Sequence, residues 1–322
     1  MTRFLIRRLF FALLLVFVSS SAALFLTRLA PGDLTANLGT HPTRSEIDAV
    51  RARFDLDRSP LEQWGLWMSR AVRFDFGESL QYRRPVAPLV LRRAANSALL
   101  GLTALVAATL IGFSLGIFSG ARGHGVGATL VRAFSVACLS LPPLVTSLAL
   151  VFIAARTGWF PLGGMTSVGA TDPTWGAWFA DVSSHLLLPA VALALPVAAT
   201  FERLQSQALG ETLHLPFVAA AAARGVSPRA VILRHAWPAS LRAICAVYGI
   251  VIGALLSGSF VVEYVTAWPG LGLTMYEALK ARDIYLVAGC AAMGAGLLAM
   301  GTLIGDLLLV IVDPRVREGT GD

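Results

Sequence analysis

The stretch SALLGLTALVAATLIGFSLGIFS, residues 97–119, contains no charged side chain. An apolar run of about 20 residues is long enough to cross the hydrocarbon core of a bilayer as an α-helix. Similar runs recur along the chain. They predict transmembrane helices at Leu9–Leu29, Ser97–Ser119, Leu130–Ala154, Leu186–Leu204, Ile244–Val265 and Leu286–Val312. The predicted fold class is therefore an all-α membrane protein with six transmembrane helices.

The overall composition supports a membrane protein. Of 322 residues, 56% are hydrophobic and 14% are charged, whereas roughly 25% are charged in soluble domains. A net charge of +7 raises the alternative of nucleic-acid binding. However, the arginines lie between apolar runs and form no basic stripe interleaved with aromatic residues. We therefore attribute the charge to membrane topology and predict no nucleic-acid partner.

The positions of the arginines predict the orientation. Segments assigned to the inside contain Arg3, Arg7, Arg8, Arg122, Arg224, Arg229, Arg234, Arg242, Arg315 and Arg317. The loop 156–185 has no lysine or arginine after Arg156. Short cytoplasmic loops carry the excess of basic residues, so both termini are predicted to be cytoplasmic. Residues 1–30 would be the N-terminal tail and first helix, 31–96 an extracytoplasmic loop, 97–312 a five-helix core and 313–322 a cytoplasmic tail.

The first apolar run allows two interpretations. Arg7 and Arg8 precede it, and residues 19–23 are the small residues Ser-Ser-Ser-Ala-Ala, which resemble a signal-peptide cleavage region. The run is longer than a typical signal sequence and other spans follow it. We therefore expect an uncleaved signal-anchor.

The long outer loop contains helix signals. Ser59 and Glu62 form a capping-box pattern, with Pro60 at the first helical position. The apolar residues that follow at helical spacing are Leu61, Trp64, Met68 and Ala71 or Val72. An earlier helix is suggested by Ile47, Val50 and Phe54. The apolar faces would pack on the bundle or lie in the membrane interface.

Small residues are spaced four apart within several predicted spans. These sets are Gly112, Gly116 and Gly120; Gly249 and Gly253; and Gly301 and Gly305. Helices in lipid associate through close backbone approach at such positions. The pattern predicts a packed bundle.

Residues 209–241 differ from the other loops. Pro216 is suited to the start of a helix that runs through an alanine series to Arg224, and alanine has the highest helix propensity. Gly225 would stop this helix, and Ser227-Pro228 would start a second one that ends at Pro238. The predicted element is a rigid helical hairpin on the inner side.

This hairpin would expose a flat face of alanines with arginine at its end. Small residues permit close approach of another protein, and arginine can pair with carboxylates. A helix lying on the bilayer is the alternative, although the face is poor in the Trp, Phe and Leu of a good interfacial anchor.

The segment resembles the cytoplasmic loop of ABC-importer permeases, which reads Glu-Ala-Ala, three residues, Gly, nine residues, Ile-x-Leu-Pro. Here Ala219–Ala221 precede Gly225 at that spacing, and Pro238 ends the motif, but the Glu is absent and His235 and Trp237 replace Ile and Leu. In these departures the segment resembles the loop of one branch of the family, the dipeptide, oligopeptide and nickel permeases. That branch has an Ala-x-Gly-Leu-Ser stretch and an Arg-His-Ala stretch. This sequence reads Ala-Arg-Gly-Val-Ser at 223–227, with Val in place of Leu, and Arg-His-Ala at 234–236.

The resemblance extends over the whole chain. Leu-Ala-Pro-Gly-Asp at 29–33, Asp-Phe-Gly-Glu-Ser at 75–79 and Asp-Pro-Arg at 313–315 are similar to motifs of this branch. An extracytoplasmic turn resembles the family at Glu263, Trp268, Pro269, Gly270 and Gly272. The Trp-Pro-Gly part of that turn is also typical of a tight outer turn with an interfacial tryptophan.

The resemblance implies a type I importer permease in the bacterial inner membrane that forms half of a pore for short peptides. Nickel chelates and glutathione-like peptides are the alternative substrates. The implied partners are a second homologous permease (a heterodimer), two cytoplasmic ATPases that bind ATP and Mg, an extracytoplasmic solute-binding protein and lipid. The chain itself would bind no cofactor or metal. The implied coupling residues are Phe217, Ala219, Ala220, Ala221, Arg224, Gly225, Ser227, Pro228, Arg234, His235 and Pro238.

No catalytic motif is evident. A phosphate-binding P-loop requires Gly-Lys-Ser/Thr, and the one lysine, Lys280, follows a leucine. The three cysteines, Cys138, Cys245 and Cys290, lie in apolar stretches and are predicted to be buried. A secondary transporter or channel is the alternative of another class, but such carriers keep ionisable groups near the bilayer midplane. The ionisable residues of the predicted spans instead fall towards span ends: Arg132, Glu202, Arg203, Glu263 and Asp306.

Overall fold

The computed structural model describes residues 2–29, 43–167, 169 and 174–312. The regular elements in these ranges are helices. They are α1 Thr2–Leu29, α2 Arg44–Arg53, α3 Pro60–Ala71, α4 Val86–Arg122, α5 Val126–Ser140, α6 Pro143–Thr157, α7 Trp175–Leu213, α8 Pro216–Ala223, α9 Pro228–Ala230, a π-helical turn Val231–Ala236, α10 Trp237–Gly258, α11 Phe260–Val265, α12 Leu271–Ala281 and α13 Ile284–Val312. The motifs at 30–33 and 313–315 lie outside the described residues.

Five helical stretches are long and apolar enough to span a membrane, and α5 with α6 raises the number to six if that bent pair forms one span. The all-α, six-helix class is thereby confirmed. The predicted span Leu130–Ala154 is interrupted at Pro142-Pro143, a pair that can kink a helix, and α5 and α6 meet at a bend of 102°. Leu141 is extended and Pro142 precedes the new helix. Proline disfavours helical geometry at the residue before it and cannot donate a helical hydrogen bond.

Two helices are longer than the predicted spans. Helix α4 has 37 residues and α7 has 39. At 1.5 Å per residue these helices are roughly 55–60 Å long, about twice the thickness of the hydrocarbon core. Each therefore extends beyond the bilayer. The predicted fifth span is also divided, because α10 ends at Gly258 and α11 starts at Phe260.

The chain divides into two compact units, one of Ala98–Trp268 with Met300–Asp322 and one of Thr2–Ser97 with Pro269–Ala299. The domain boundaries proposed from the sequence stay a prediction.

In the second unit, the capping box of α3 is confirmed. The Ser59 hydroxyl accepts a hydrogen bond from the backbone of Glu62, and the Glu62 carboxylate accepts one from the backbone of Ser59. Helix α3 packs against α1, where the Trp64 indole donates to the Ser21 hydroxyl at 2.9 Å. The helix predicted before α3 is also present, as α2.

The buried residues of α3 are not the predicted apolar ones. Leu61 is 70% exposed, whereas Gln63 and Trp67 are buried. Tertiary hydrogen bonds explain the difference: Gln63 donates to the carbonyl of Phe54, and the Trp67 indole donates to that of Phe76. Trp67 also stacks on the Phe76 ring.

The same unit contains a buried carboxylate, Asp283, between α12 and α13. The Ser79 hydroxyl and the Gln81 backbone donate to one of its oxygens at 2.6 and 3.0 Å, and the Leu286 backbone donates to the other. Burial raises the pKa of Asp283, and these hydrogen bonds act in the opposite direction. Residues of the outer loop are thus tied to the start of α13.

In the first unit, the predicted glycine contacts are confirmed. A Cβ atom at Gly112 would lie 2.6 Å from the Ala198 carbonyl oxygen, and one at Gly116 would lie 2.6 Å from the Cβ of Gln205. Helices α10 and α13 also approach closely, since a Cβ at Gly301 would lie 2.8 Å from the Cα of Gly253. Backbone contact of this kind is available only without a side chain.

Candidate coupling segment

Residues 209–241 form a packed element on the end of α7. Its core consists of five buried residues: Leu209, Val218, Ala221, Val231 and Ala236. Partly buried apolar residues surround it: Ile117, Ala121, Leu213, Val226, Ile232 and Trp237. This coupling core joins α8 and the π-helical turn to the C-terminal ends of α4 and α7. The segment is therefore braced by long helices and does not behave as a free loop.

Helix α8 begins and ends as predicted. Pro216 occupies the first turn, where its missing N–H has no cost. At the other end Gly225 has a φ of +81° and donates to the Ala222 carbonyl, while Val226 donates to that of Ala221. These two bonds and the left-handed glycine form a Schellman motif. Glycine is favoured here because a Cβ is strained at positive φ.

One side of α8 is exposed. Ala219, Ala220 and Ala223 are exposed on it, flanked by Phe217 and Arg224. We call these five residues the alanine face.

Ala221 is not part of this face. With Val218 it is buried in the coupling core, so its assignment to the docking surface is corrected. A helix turns 100° per residue, so positions three apart point in similar directions, and Val218 and Ala221 point away from Ala219 and Ala223.

The second helix departs from the prediction. Ser227 and Pro228 start α9, but the Ser227 hydroxyl makes no capping bond. The expected end at Pro238 is wrong, because Pro238 lies in the first turn of α10 and the chain is helical from α9 through α10. The π-helical turn explains this: the Trp237 N–H bonds to Ile232, five residues back. This wider turn accommodates a proline that would clash in a continuous α-helix.

Cationic groups are available beside the alanine face. Arg224 and Arg234 are exposed, and His235 is half-buried on the π-helical turn. Within the described ranges these three side chains make no hydrogen bond or ion pair. They are free to meet a carboxylate of another molecule.

Buried polar contacts near the coupling core were missed from the sequence. The Ser119 hydroxyl of α4 donates to Glu202 of α7 at 2.5 Å. The Gln205 amide of α7 donates to the Ser240 hydroxyl of α10 at 2.8 Å. Glu202 and Gln205 are three residues apart on one face of α7. That spacing alone does not identify their partners.

A leucine at Ala221 should destabilise the segment. The side chain is fully buried, and overpacking a core costs about 1–3 kcal/mol. Ala220→Leu, one residue away on the exposed side, should change the unfolding free energy by less than about 0.5 kcal/mol. Hydrogen exchange of residues 216–224 in the purified protein would distinguish the two variants. Equal exchange in both would contradict the assignment of faces.

The proposed extracytoplasmic turn contains buried groups. Glu263 accepts a hydrogen bond from Ser259, and its backbone carbonyl accepts from Trp268 at 2.9 Å. Trp268 is fully buried, so the expectation that this tryptophan lies in the membrane interface is corrected. The left-handed residue of this turn is Ala267, with a φ of +49°.

The rest of the turn belongs to the second unit. The Pro269 carbonyl accepts from the Asn96 amide at 2.8 Å, and the Ser97 hydroxyl accepts from the Leu271 backbone at 2.7 Å. Gly270 is the N-cap of α12, and Gly272 lies in its first turn. These residues start a helix, which is a structural task; their proposed functional role stays a prediction.

Comparisons with known proteins agree with this architecture. The family model described as "Binding-protein-dependent transport system inner membrane component" matches residues 112–318. The oligopeptide transport system permease protein OppB of Mycobacterium tuberculosis is 30% identical over 98% of this chain and 99% of its own length. The nickel import system permease protein NikB of Staphylococcus aureus is 27% identical over 98% and 92%.

A solved structure is also similar. A chain of the MetNI methionine ABC transporter, in inward-facing conformations, aligns with a TM-score of 0.52 and 17% identity, covering 70% of this chain and 96% of that one. At this identity the likeness concerns the fold, which is that of an ABC-importer permease. The family model covers residues 112–318, and the fold agrees with it. This multi-pass protein of the bacterial plasma membrane therefore belongs to the family of binding-protein-dependent transport system inner membrane components.

Proposed function

We propose that the chain forms half of the translocation pore of an ATP-driven importer of short peptides, and that the alanine face receives the motion of a cytoplasmic ATPase. The observation that carries this proposal is the alanine face, exposed to partners on one side and braced through the coupling core on the other. A surface that transmits force must be exposed to its partner on one side and packed against the rest of the protein on the other.

The geometry of α8 suits mechanical coupling. Phe217, 46% exposed, would insert into an apolar pocket of the partner, while Ala219, Ala220 and Ala223 permit close approach. Arg224 at the edge would pair with a carboxylate. Displacement of α8 would act directly on Leu209 of α7 through the coupling core.

The energy for transport would come from the partner. Two ATPases would bind ATP and Mg, and this chain would bind no cofactor. A ligand shifts a conformational equilibrium only through its different affinity for the two states. ATP would therefore favour the arrangement in which the ATPases approach one another, and α8 would carry that movement to the pore.

The remaining partners complete the system. A second, homologous permease would supply the other half of the pore, and a solute-binding protein would deliver substrate on the outer side. Peptides are the preferred cargo because OppB and the oligopeptide permease AppB of Bacillus subtilis are named for them. Nickel chelates remain the alternative because of NikB, with glutathione-like peptides as a further one.

A site-specific photo-cross-linker at Ala220 tests the docking surface in native membranes. Cross-links to an ATPase subunit are expected. The matched control is the same cross-linker at Phe179, which is 69% exposed near the opposite end of α7 and should give no ATPase product. Absence of ATPase from the Ala220 product would contradict the docking role.

Affinity purification of the chain from the same membranes tests the complex. ATPase subunits and a second permease are expected to copurify. Recovery of a homo-oligomer alone that transports without ATP would favour a secondary transporter or channel instead.

A further inference from the structure

We infer that a groove between α5 and α7 is a binding site for a zwitterion, a molecule with a primary ammonium group and a phosphate or carboxylate. The groove encloses about 470 Å³, within the range of small-molecule sites. The residues that carry its charge and polarity are Arg132, Glu202, Arg203, Gln207, Glu211 and His214. It is separate from the alanine face.

The innermost charged residue of the groove is a buried carboxylate. Glu202 is 1% exposed, and one of its oxygens accepts the Ser119 hydroxyl. Among the described residues the other oxygen accepts no hydrogen bond, and Glu202 forms no ion pair. An ionised carboxylate accepts several hydrogen bonds, and this second oxygen is not among the fully enclosed oxygens without a partner in the described residues. Since Glu202 lines the groove, that oxygen is accessible from it. An ammonium group in the groove would supply the missing donors.

Guanidinium groups lie at the sides of the same groove. Arg132 of α5 is held in place by donating to the carbonyls of Ser119 and Gly123 at 3.3 and 2.7 Å. These two bonds leave other N–H groups of its guanidinium available. Arg203 of α7 is exposed and, in the part of the chain that the structure describes, makes no hydrogen bond or ion pair. Both can bind the anionic end of the ligand.

The charged side chains that line the groove favour a zwitterion over a simple ion. Two arginines and two glutamates line the groove, so its formal net charge is zero when His214 is neutral. Glu211 is exposed, so water can hydrate its carboxylate, and it also accepts from the Gln207 amide at 3.2 Å. Glu202 is buried and has water access only through the groove, so we assign the ammonium to Glu202. Phosphate alone would be repelled by the carboxylate of Glu202, and a simple cation alone would be repelled by the guanidinium of Arg203.

The position of the groove suggests the source of the ligand. Helix α7 begins with exposed aromatic residues, Trp175, Trp178 and Phe179, which are typical of a membrane interface. About 20 residues cross the hydrocarbon core, which brings Glu202 near the inner headgroup level. The two sources are therefore the headgroup of phosphatidylethanolamine and a free cytoplasmic zwitterion such as a dipeptide.

Native mass spectrometry of the purified chain tests the site. Phosphatidylethanolamine should be retained in preference to phosphatidylcholine, whose quaternary ammonium cannot donate to Glu202. Loss of one hydrogen bond to a charged group costs about 2 kcal/mol, more than a tenfold loss of affinity. Glu202→Gln and Arg203→Gln should each lower retention by more than about tenfold. Arg229→Gln, an exposed arginine of α9, is the matched control and should not change it.

Soluble probes distinguish the sources. Binding of O-phosphoethanolamine or glycylglycine with the same dependence on Glu202 and Arg203 would assign a free zwitterion. Retention of the lipid without binding of either probe would assign the headgroup. Equal retention of both lipids by the wild type together with no probe binding would overturn the inference, as would unchanged binding in the Arg203→Gln variant.

Discussion

Gly225→Trp should abolish substrate-stimulated ATP hydrolysis while the protein remains in the membrane. Leaving aside its two chain neighbours, no atom of the described residues lies within 4 Å of a Cβ at Gly225, so a side chain there would start in open space. It would project beside the alanine face and block an approaching partner. The measurement is ATP hydrolysis by the complete transporter in liposomes, with and without loaded binding protein. Stimulation is expected to fall to the basal rate.

The control for this variant separates blocked docking from a strained turn. The φ of +81° at Gly225 costs about 1–2 kcal/mol for most residues with a Cβ, but asparagine tolerates it. Gly225→Asn should therefore keep most of the stimulation. Unchanged stimulation in Gly225→Trp would remove this turn from the coupling mechanism. Equal loss in both variants would assign the effect to the turn conformation and contradict steric blocking.

Replacing Gly112 and Gly116 together by alanine should strongly destabilise the contact between α4 and α7. The new Cβ atoms would lie 2.6 Å from the Ala198 carbonyl oxygen and from the Gln205 Cβ, well inside the optimal separation of roughly 3.5–4 Å. Because the Ala198 obstacle is backbone, the helices must move apart. Overpacking costs about 1–3 kcal/mol at each position, which should appear as a lower thermal unfolding midpoint in detergent.

The same substitution at Gly210 should have the opposite sign. Gly210 lies inside α7, and apart from the neighbouring backbone of α7 no atom of the described residues is within 4 Å of the position that an alanine methyl group would occupy there. Alanine is favoured over glycine in a helix interior by about 0.5–1 kcal/mol. An equal shift in the midpoint for Gly112→Ala and Gly210→Ala would show that close approach does not govern stability here.

The local pattern was enough to predict the turn at Gly225 and the capping box at Ser59. In both places the determining interactions lie within a few residues: Gly225 donates to Ala222, and Ser59 and Glu62 bond reciprocally. Short-range hydrogen bonds depend on residue type and spacing, which a sequence displays directly. The glycine contacts of α4 were predictable as a class, but their partners on α7 were not.

Other features depend on contacts between distant residues. An alanine series looks the same on every side, so burial of Ala221 and exposure of Ala220 follow only from the position of α7 beneath α8. Trp268 likewise looked like an interfacial residue, and it is fully buried. The helical path through Pro238 required the π-helical turn, which no residue type signals strongly.

By itself, the sequence determined the membrane class, the number of apolar spans and the helix–glycine–helix form of residues 209–241, because hydrophobic length, helix propensity and caps are local properties. Only the tertiary structure decided which side of α8 is available to a partner and that Glu202 lies buried at the groove between α5 and α7. Burial of a side chain depends on what packs against it, and residues far apart in the chain supply those contacts.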